Sequence, residues 1–322
     1  MQFFLRASLL VGGLCASTSV LAMDWVSLVW QNDLFTGTDG GGYTNGLFLS
    51  LYDISDQGDT EYRTPFLARP LAWMLDESPD SLFFSEHSLG QAMVTPSDIS
   101  RTVPDPDDAP YAGLLLYRVS HAVVEENFAD LVRTTIGIVG PSSGAEQMQK
   151  LVHKITGSEQ PKGWDYQLND EPVFQLERTA VWRMPLSTHL DTVLLAQAGL
   201  GNLESHVGGG AIVRAGRGLE ASFATTALHY GRISSPAAID GGWYLYGGFE
   251  ASYVFNNILI NGNTYRDSAQ TDLRHDQLSL TAGFSYSWSD LSVTLSYKTG
   301  SSLDAGDKSR DSFGALSMAW RL

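Results

Sequence analysis

The feature that most constrains this chain is an alternation repeated along nearly all of it. Segments of about ten residues put large apolar side chains at every second position, with Ser, Thr, Gln or Gly between them and turn residues at their ends. A strand sends successive side chains to opposite faces, so a period of two marks β structure rather than helix. In 274–288, Leu278, Leu280, Ala282, Phe284 and Tyr286 lie opposite Gln277, Ser279, Thr281, Ser285 and Ser287. In 24–33, Val26, Leu28 and Trp30 lie opposite Ser27 and Gln31; in 44–54, Leu47, Leu49 and Leu51 share a face. The last segment alternates Gly314, Leu316, Met318, Trp320 and Leu322 against Ala315, Ser317, Ala319 and Arg321.

A soluble β-sandwich also alternates, but its polar face is usually rich in Lys and Glu. Only 17% of this chain is charged, and the polar faces are built from small uncharged residues. Such strands suit a barrel that turns its apolar half to lipid and its polar half to a lumen. Trp25, Trp30, Trp182, Trp243, Tyr244, Trp288 and Trp320 lie near segment ends, as the aromatic girdles of membrane barrels do. Beyond the first two dozen residues no apolar run reaches the ~18 residues of a membrane helix, which excludes only a helical membrane protein. The reading is an all-β fold, a transmembrane antiparallel β-barrel of about twelve strands. They fall at 24–33, 44–54, 86–94, 111–124, 129–139, 173–184, 188–199, 205–216, 243–255, 274–288, 291–299 and 312–322.

With the N-terminus periplasmic, parity sends the connections 34–43, 95–110, 140–172, 200–204, 256–273 and 300–311 to the outside. Connections 55–85 and 217–242 are longer than periplasmic turns normally are, and alternation gives no reason for them.

Residues 1–22 read as a secretory signal peptide, leaving 23–322 as the barrel domain: Arg6 precedes an apolar stretch from Leu9 to Leu14, and the segment ends in Val20-Leu21-Ala22. Cys15 follows Leu14 rather than a small residue, which argues against a lipoprotein signal. Cleavage would remove the single cysteine and leave 19 basic against 36 acidic residues, a net charge of −17. Such a chain has no disulfide and is a poor partner for nucleic acid.

Segment 140–172 breaks the strand rhythm. Ser143-Gly144-Ala145-Glu146 reads as a capping box, AEQMQKLVHKIT follows, and Gly157 stands where a C-cap glycine would. Met148, Leu151, Val152 and Ile155 form an apolar stripe expected to be buried. Gln149 and His153 project together beside it, one turn apart. A lone histidine on a helix is most often just a surface residue, and an Asn-Asp pair such as Asn32-Asp33 at a strand end is normally a turn former. Convergence favours a site. A base (His153), two carboxylates (Asp33, Glu159) and hydroxyl and amide groups (Thr44, Asn32, Gln149) are all assigned to one rim.

At these residues the chain resembles the outer-membrane lipid A 3′-O-deacylases, the LpxR family. The resemblance rests on WQNDLF (30–35), GYTNGLFLSLY (42–52), PYAGLLLY (110–117), GIVGPSSGAEQMQKLVHKITG (137–157), GWDYQLNDEP (163–172) and the C-terminal DSFGALSMAWRL. It implies a twelve-stranded barrel in the bacterial outer membrane. It also implies a calcium-dependent esterase that removes the 3′ acyloxyacyl chain from the lipid A of lipopolysaccharide, its site facing the cell exterior. The family's catalytic histidine falls on His153 and its helix glutamine on Gln149. Its strand-one pair falls on Asn32 and Asp33, its strand-two hydroxyl on Thr44, and a carboxylate on Glu159. Where members often carry a basic residue before PYAG, this chain reads Asp107-Asp108-Ala109.

The residues suit hydrolysis by a water that a neutral His153 deprotonates. A Ca2+ ion on oxygen ligands such as Asp33 or Glu159 would polarise the carbonyl, and Asn32, Thr44 or Gln149 would orient water and substrate. Thr44 as nucleophile is the weaker variant, since threonine needs an adjacent base. No Gly-x-Ser-x-Gly elbow occurs. A monomer is expected. The rivals are an outer-membrane phospholipase, for which His87-Ser88 is an adjacent Ser-His pair lying mid-strand, and a porin or adhesin, which needs no capped helix at its rim.

Overall fold

The computed structural model describes residues 23–33, 42–55, 62–78, 81–225 and 241–322; the signal peptide reading lies outside them. Twelve strands form one closed antiparallel barrel: β1 (Trp25–Asn32), β2 (Gly42–Ile54), β3 (Leu82–Thr95), β4 (Ala112–Val124), β5 (Phe128–Val139), β6 (Glu171–Ser187), β7 (Leu190–Gly201), β8 (Glu204–Arg217), β9 (Trp243–Asn257), β10 (Asp276–Trp288), β11 (Leu291–Ser301) and β12 (Arg310–Arg321). Every strand pairs with its sequence neighbours, and β1 closes on β12 from Trp25↔Arg321 to Asn32↔Gly314. Among the described residues three α-helices interrupt the pattern: α1 (Arg69–Ala72), α2 (Ala145–Thr156) and α3 (Ile258–Asn261). No described helix is long and apolar enough to cross a membrane.

Alternation sets the two sides of the wall. Leu47 and Leu49 of β2, Leu278, Leu280 and Phe284 of β10 and Leu295 of β11 are exposed on the outer side. Ser27, Ser50, Ser285 and Thr294 are buried on the inner side, where Ser285 and Thr294 share a 2.7 Å hydrogen bond. The start of β1 and the end of β12 lie at one end, called here the terminal end; the connections after the odd-numbered strands lie at the other, the far end.

The two long connections now have functions. Residues 218–225 fold into the terminal end of the lumen. Leu219 and Phe223 join a buried apolar cluster with Trp25, Tyr52, Phe84, Leu131, Val193 and Tyr244, side chains contributed by strands around the barrel. The plug is pinned by ions: Asp191 accepts from Arg183 Nε and Arg214 Nε, each at 2.9 Å, and Arg214 Nη2 donates 2.8 Å to the Leu219 carbonyl. Arg214 and Asp191 are fully buried, so each needs the other to offset its desolvation. Toward the far end the lumen holds a cavity of ≈ 180 Å³ lined by Arg118, Arg133, Glu177, His206, Glu250 and Lys298 among others.

Residues 62–78 form a strap, including α1, that lies against the outer side of the wall. Val119, Val123 and Val132, which alternation places outward, pack under Leu67, Ala68, Leu71 and Leu75. The wall in this sector is therefore covered on both sides, and β4 is buried along most of its length. That burial explains why alternation missed the first four residues of β3, which begins at Leu82 rather than at 86. Leu82 packs on the plug cluster, whereas Phe83 packs under the strap.

Candidate active site

α2 packs on the outer side of the wall near the far end rather than above the mouth of the lumen. Gly113 of β4 makes this close approach feasible: a Cβ there would stand 2.2 Å from Ser143 Oγ and 2.4 Å from Ala145 Cβ. Gln91 Nε2 donates 2.7 Å to the Ser143 carbonyl, and Gly140 N–H donates to the Gly113 carbonyl. Beneath the helix, Met93, Tyr111, Ala145 and Trp164 form a small buried cluster, with the Tyr111 and Trp164 rings 4.8 Å apart. Burial pushes the Tyr111 hydroxyl up to about 12.

The expected capping box does not form. Gly144 is the N-cap, in the left-handed region at φ 73°, and no side chain caps the helix. A short 3-10 turn over Pro141–Ser143 brings the chain in, and Glu146 pairs instead with Lys150. Gly157 is the C-cap as expected, at φ 76° with its N–H on the His153 carbonyl. The apolar stripe is not buried either: Met148, Leu151 and Ile155 are exposed, and the helix residues that are buried are Ala145 and Gln149. The helix meets the wall through its small and polar face because glycine and alanine allow the closest backbone approach.

Gln149 is therefore a structural and chemical hinge of the site. Its Oε1 accepts from Trp164 Nε1 at 2.7 Å, and its buried Nε2 has no partner among the described residues. One turn on, His153 is half-buried. Its Nδ1 lies 2.5 Å from the Glu159 backbone carbonyl, which can only accept, so Nδ1 carries the proton and Nε2 is left as the acceptor. Glu159 thus reaches the site through its carbonyl, and its side chain is exposed.

The strand residues lie on the same side of the wall. Asn32 shares its face with Leu28 and Trp30. Asn45 Oδ1 accepts from Trp30 Nε1 at 3.1 Å and from Asn32 Nδ2 at 3.4 Å. Thr44 sits in a β-bulge, where the β2–β3 register shifts between Tyr43 and Asn45. Bulges re-aim side chains at strand ends. Thr44 Oγ1 lies 2.8 Å from Thr95 Oγ1 and 3.2 Å from the Gly42 carbonyl. Asp33 follows Asn32 directly and is half-buried. The two groups meet across β3: Thr95 holds Thr44, Met93 packs under Ala145 and Trp164, and Gln91 holds Ser143, three alternate residues on one face. His87 and Ser88, by contrast, point to opposite sides of β3, and His87 Nδ1 is paired with the Tyr117 hydroxyl at 2.7 Å.

A family model for the outer membrane protein LpxR matches residues 3–322. The chain belongs to the LpxR family. Among solved structures, LpxR from Salmonella typhimurium superposes with a TM-score of 0.74 at 18% identity, covering 92% of this chain and 100% of that one. That likeness is one of fold. The β domain of the Bordetella autotransporter BrkA (TM-score 0.47, 13% identity, 93% and 98% covered) and the translocator domain of NalP from Neisseria meningitidis (0.42, 11%, 98% and 94%) are more distant. No curated protein matches the chain.

In this LpxR-family barrel the acidic run before PYAG is structural in part. Asp108 accepts from Ser97 N and Ala109 N, each at 2.7 Å, and so ties the β3–β4 connection shut. The basic groups of the neighbouring loops are Arg101, paired with Asp105 at 2.8 Å, and the exposed Lys162. Sequence reasoning missed Asn45, Thr95, Trp164 and Gly113. A signal existed for the last: Ala112-Gly113 stands in a strand otherwise full of leucine, and glycine in a strand marks a close backbone approach.

Proposed function

We propose that this chain is an esterase that hydrolyses the 3′ acyloxyacyl ester of lipid A, with His153 as general base. The observation that carries this reading is the orientation of His153: Nδ1 held on the Glu159 carbonyl and Nε2 left to accept, one turn from a buried glutamine amide with a spare donor. Nε2 takes a proton from water as the water attacks the ester carbonyl. The tetrahedral intermediate collapses, His153 returns the proton to the leaving oxygen, and the products are the acyloxyacyl acid and a free 3′ hydroxyl. In this reading Gln149, held through its Oε1 by Trp164, helps to orient the substrate. Asn32 and Thr44 orient water and substrate; Thr44 hydrogen-bonds to a hydroxyl and a carbonyl, not to a base.

Calcium takes oxygen ligands, and those it would find here are the carboxylates of Asp33 and Glu159 and the amide oxygen of Asn32; Asn45 Oδ1 already accepts from Trp30 and Asn32. When bound, calcium supplies positive charge that polarises the ester carbonyl and stabilises the oxyanion. Among the described residues no three His, Cys, Asp or Glu side chains converge, so amide and carbonyl oxygens must complete any such set.

A site on the outer side of the wall can be reached sideways by a membrane lipid, and exposed Met148, Leu151 and Ile155 offer an apolar surface for acyl chains. In this reading the far end faces the cell exterior, where lipopolysaccharide resides, and the terminal end faces the periplasm. The filled terminal end of the lumen weighs against a porin.

The test is mass spectrometry of lipid A from cells expressing the chain. Wild type should remove the two acyl chains of the 3′ unit. His153→Ala should fold and lose roughly 10²–10⁴ of the rate, the usual share of a general base. Unchanged deacylation by that variant overturns the assignment. Activity should vanish in EDTA and return with calcium; indifference to chelation removes the metal from the scheme.

A further inference from the structure

The outer side of the wall from β3 to β6 is not apolar near the terminal end. Ser85, His87 and His121 stand on it, all buried, with Ser85 Oγ 3.0 Å from His121 Nδ1. Beside them Arg178 of β6 pairs with Asp130 of β5 at 2.5 Å. Polar groups turned toward acyl chains are costly unless something covers or pairs them. The strap supplies that cover. The Tyr62 ring stacks on Phe83 and His121, with centroids 5.2 and 6.1 Å apart, and Thr134 donates 2.7 Å to the Leu67 carbonyl.

The height of the strap follows from β5. Outward-facing Trp182 packs on Phe128, the first residue of β5, with centroids 5.7 Å apart, and marks the aromatic girdle at the terminal end. Thr134 lies six residues further along β5, roughly 20 Å at ~3.3 Å per residue. The strap therefore climbs past the girdle into the apolar slab. Part of its backbone closes on itself, as that depth demands: Ala68 and Arg69 N–H bond to the Pro65 carbonyl, Leu71 to Ala68, Met74 to Leu71 and Leu75 to Ala72. Its outer surface carries two large apolar side chains, Phe66 at 75% and Trp73 at 79% exposed, with the exposed charges of Asp76 and Glu77 at the end that returns to the wall. Arg63 is exposed near the base, and the Arg69 guanidinium lies over the Phe66 ring at 5.9 Å.

We propose that 62–78 is a re-entrant membrane segment whose outer surface packs against the glycerophospholipid of the leaflet at the terminal end, with Phe66 and Trp73 among the acyl chains and Arg63 at the phosphates. The surface is continuous with the lipid-facing wall on either side of it. The proposal does not depend on the enzyme activity.

The test places a nitroxide at Phe66→Cys or Trp73→Cys in the full chain carrying Cys15→Ser, reconstituted in vesicles of phosphatidylethanolamine and phosphatidylglycerol. Leu280→Cys on the bare wall of β10 is the lipid reference and Asp107→Cys in a far-end loop the aqueous one. Collisional relaxation should be dominated by oxygen at 66 and 73, matching 280. A nickel-chelate-dominated response matching 107 overturns the proposal, as does dipolar broadening that scales with labelled fraction, which would assign the surface to a second copy. A gel-mobility assay confirms that each variant is a closed barrel. If a label prevents folding, quenching by brominated acyl chains, compared between wild type and Trp73→Phe, gives the same reading: a quenched component lost with Trp73 supports insertion, and none overturns it.

Discussion

β10 and β4 follow the same alternation and end in different surroundings. Along β10 exposed and half-buried residues alternate almost without interruption from Asp276, and Leu278 and Leu280 stand bare on the outer side. Along β4 nearly every residue is buried, because the plug fills the terminal end of the lumen behind it and the strap and α2 cover its outer side at the two ends. The bare sector is only a wall. The covered sector departs from apolar outward residues, with Ser85, His87, Gln91, Gly113 and His121, and each departure is matched by a piece of connecting chain laid over it. The residues of the proposed site collect where the wall departs from the lipid-facing rule.

Four changes would break or sharpen that contrast. The largest effect is expected on the bare wall: Leu280→Arg should cost about 2–4 kcal/mol of barrel stability, the usual penalty toward the bilayer midplane, read from urea unfolding in vesicles. A negligible effect would mean that the β10 face is not lipid-facing. Gly113→Val on the covered wall should leave the fold intact and lower deacylation by roughly 100-fold, the scale of an ångström-level misplacement of catalytic groups. Full activity would show that α2 need not touch the wall. Ser85→Ala removes the partner of His121 beneath the strap and should cost about 1–3 kcal/mol, since it strands a buried polar group. The smallest effect is a pH dependence. The folded Tyr111 hydroxyl titrates at about 12 against 10.0 unfolded, so its contribution is complete below pH 10 and is lost as pH rises toward 12. Near-ultraviolet dichroism should lose the Tyr111–Trp164 signal in that window while the barrel persists; a signal constant to pH 12 would refute it.

The strands were legible because each is half lipid-facing and half lumen-facing, a division that a period of two records directly. All twelve were located, most within two residues of their bounds. Legibility failed where both faces are covered. Leu82-Phe83-Phe84 reads as an apolar run with no period, and neither strap nor plug has a strand signature. Within the site, parity assigned Asn32, Thr44 and α2 to one end, and alternation already put Asn32 beside Leu28 and Trp30. What sequence did not convey was the facing of α2. Its apolar stripe was expected inward by the logic of water-soluble proteins, yet Met148, Leu151 and Ile155 point away from the wall and Gln149 points in. The capping-box pattern misled for a local reason: Gly144 takes a left-handed conformation and the N-cap position, so Ser143 Oγ meets only the Ala145 N–H and not the third amide of α2.

The plug has a consequence for the cell. On the proposed reading the chemistry lies on the flank and the barrel has no use for a conduit; 218–225 fill the end of the lumen with Leu219 and Phe223 beside the buried Arg214–Asp191 pair of the wall. Many copies could then stand in the envelope without making it leakier to small toxic solutes, so the abundance of this protein is set free from the permeability barrier it sits in.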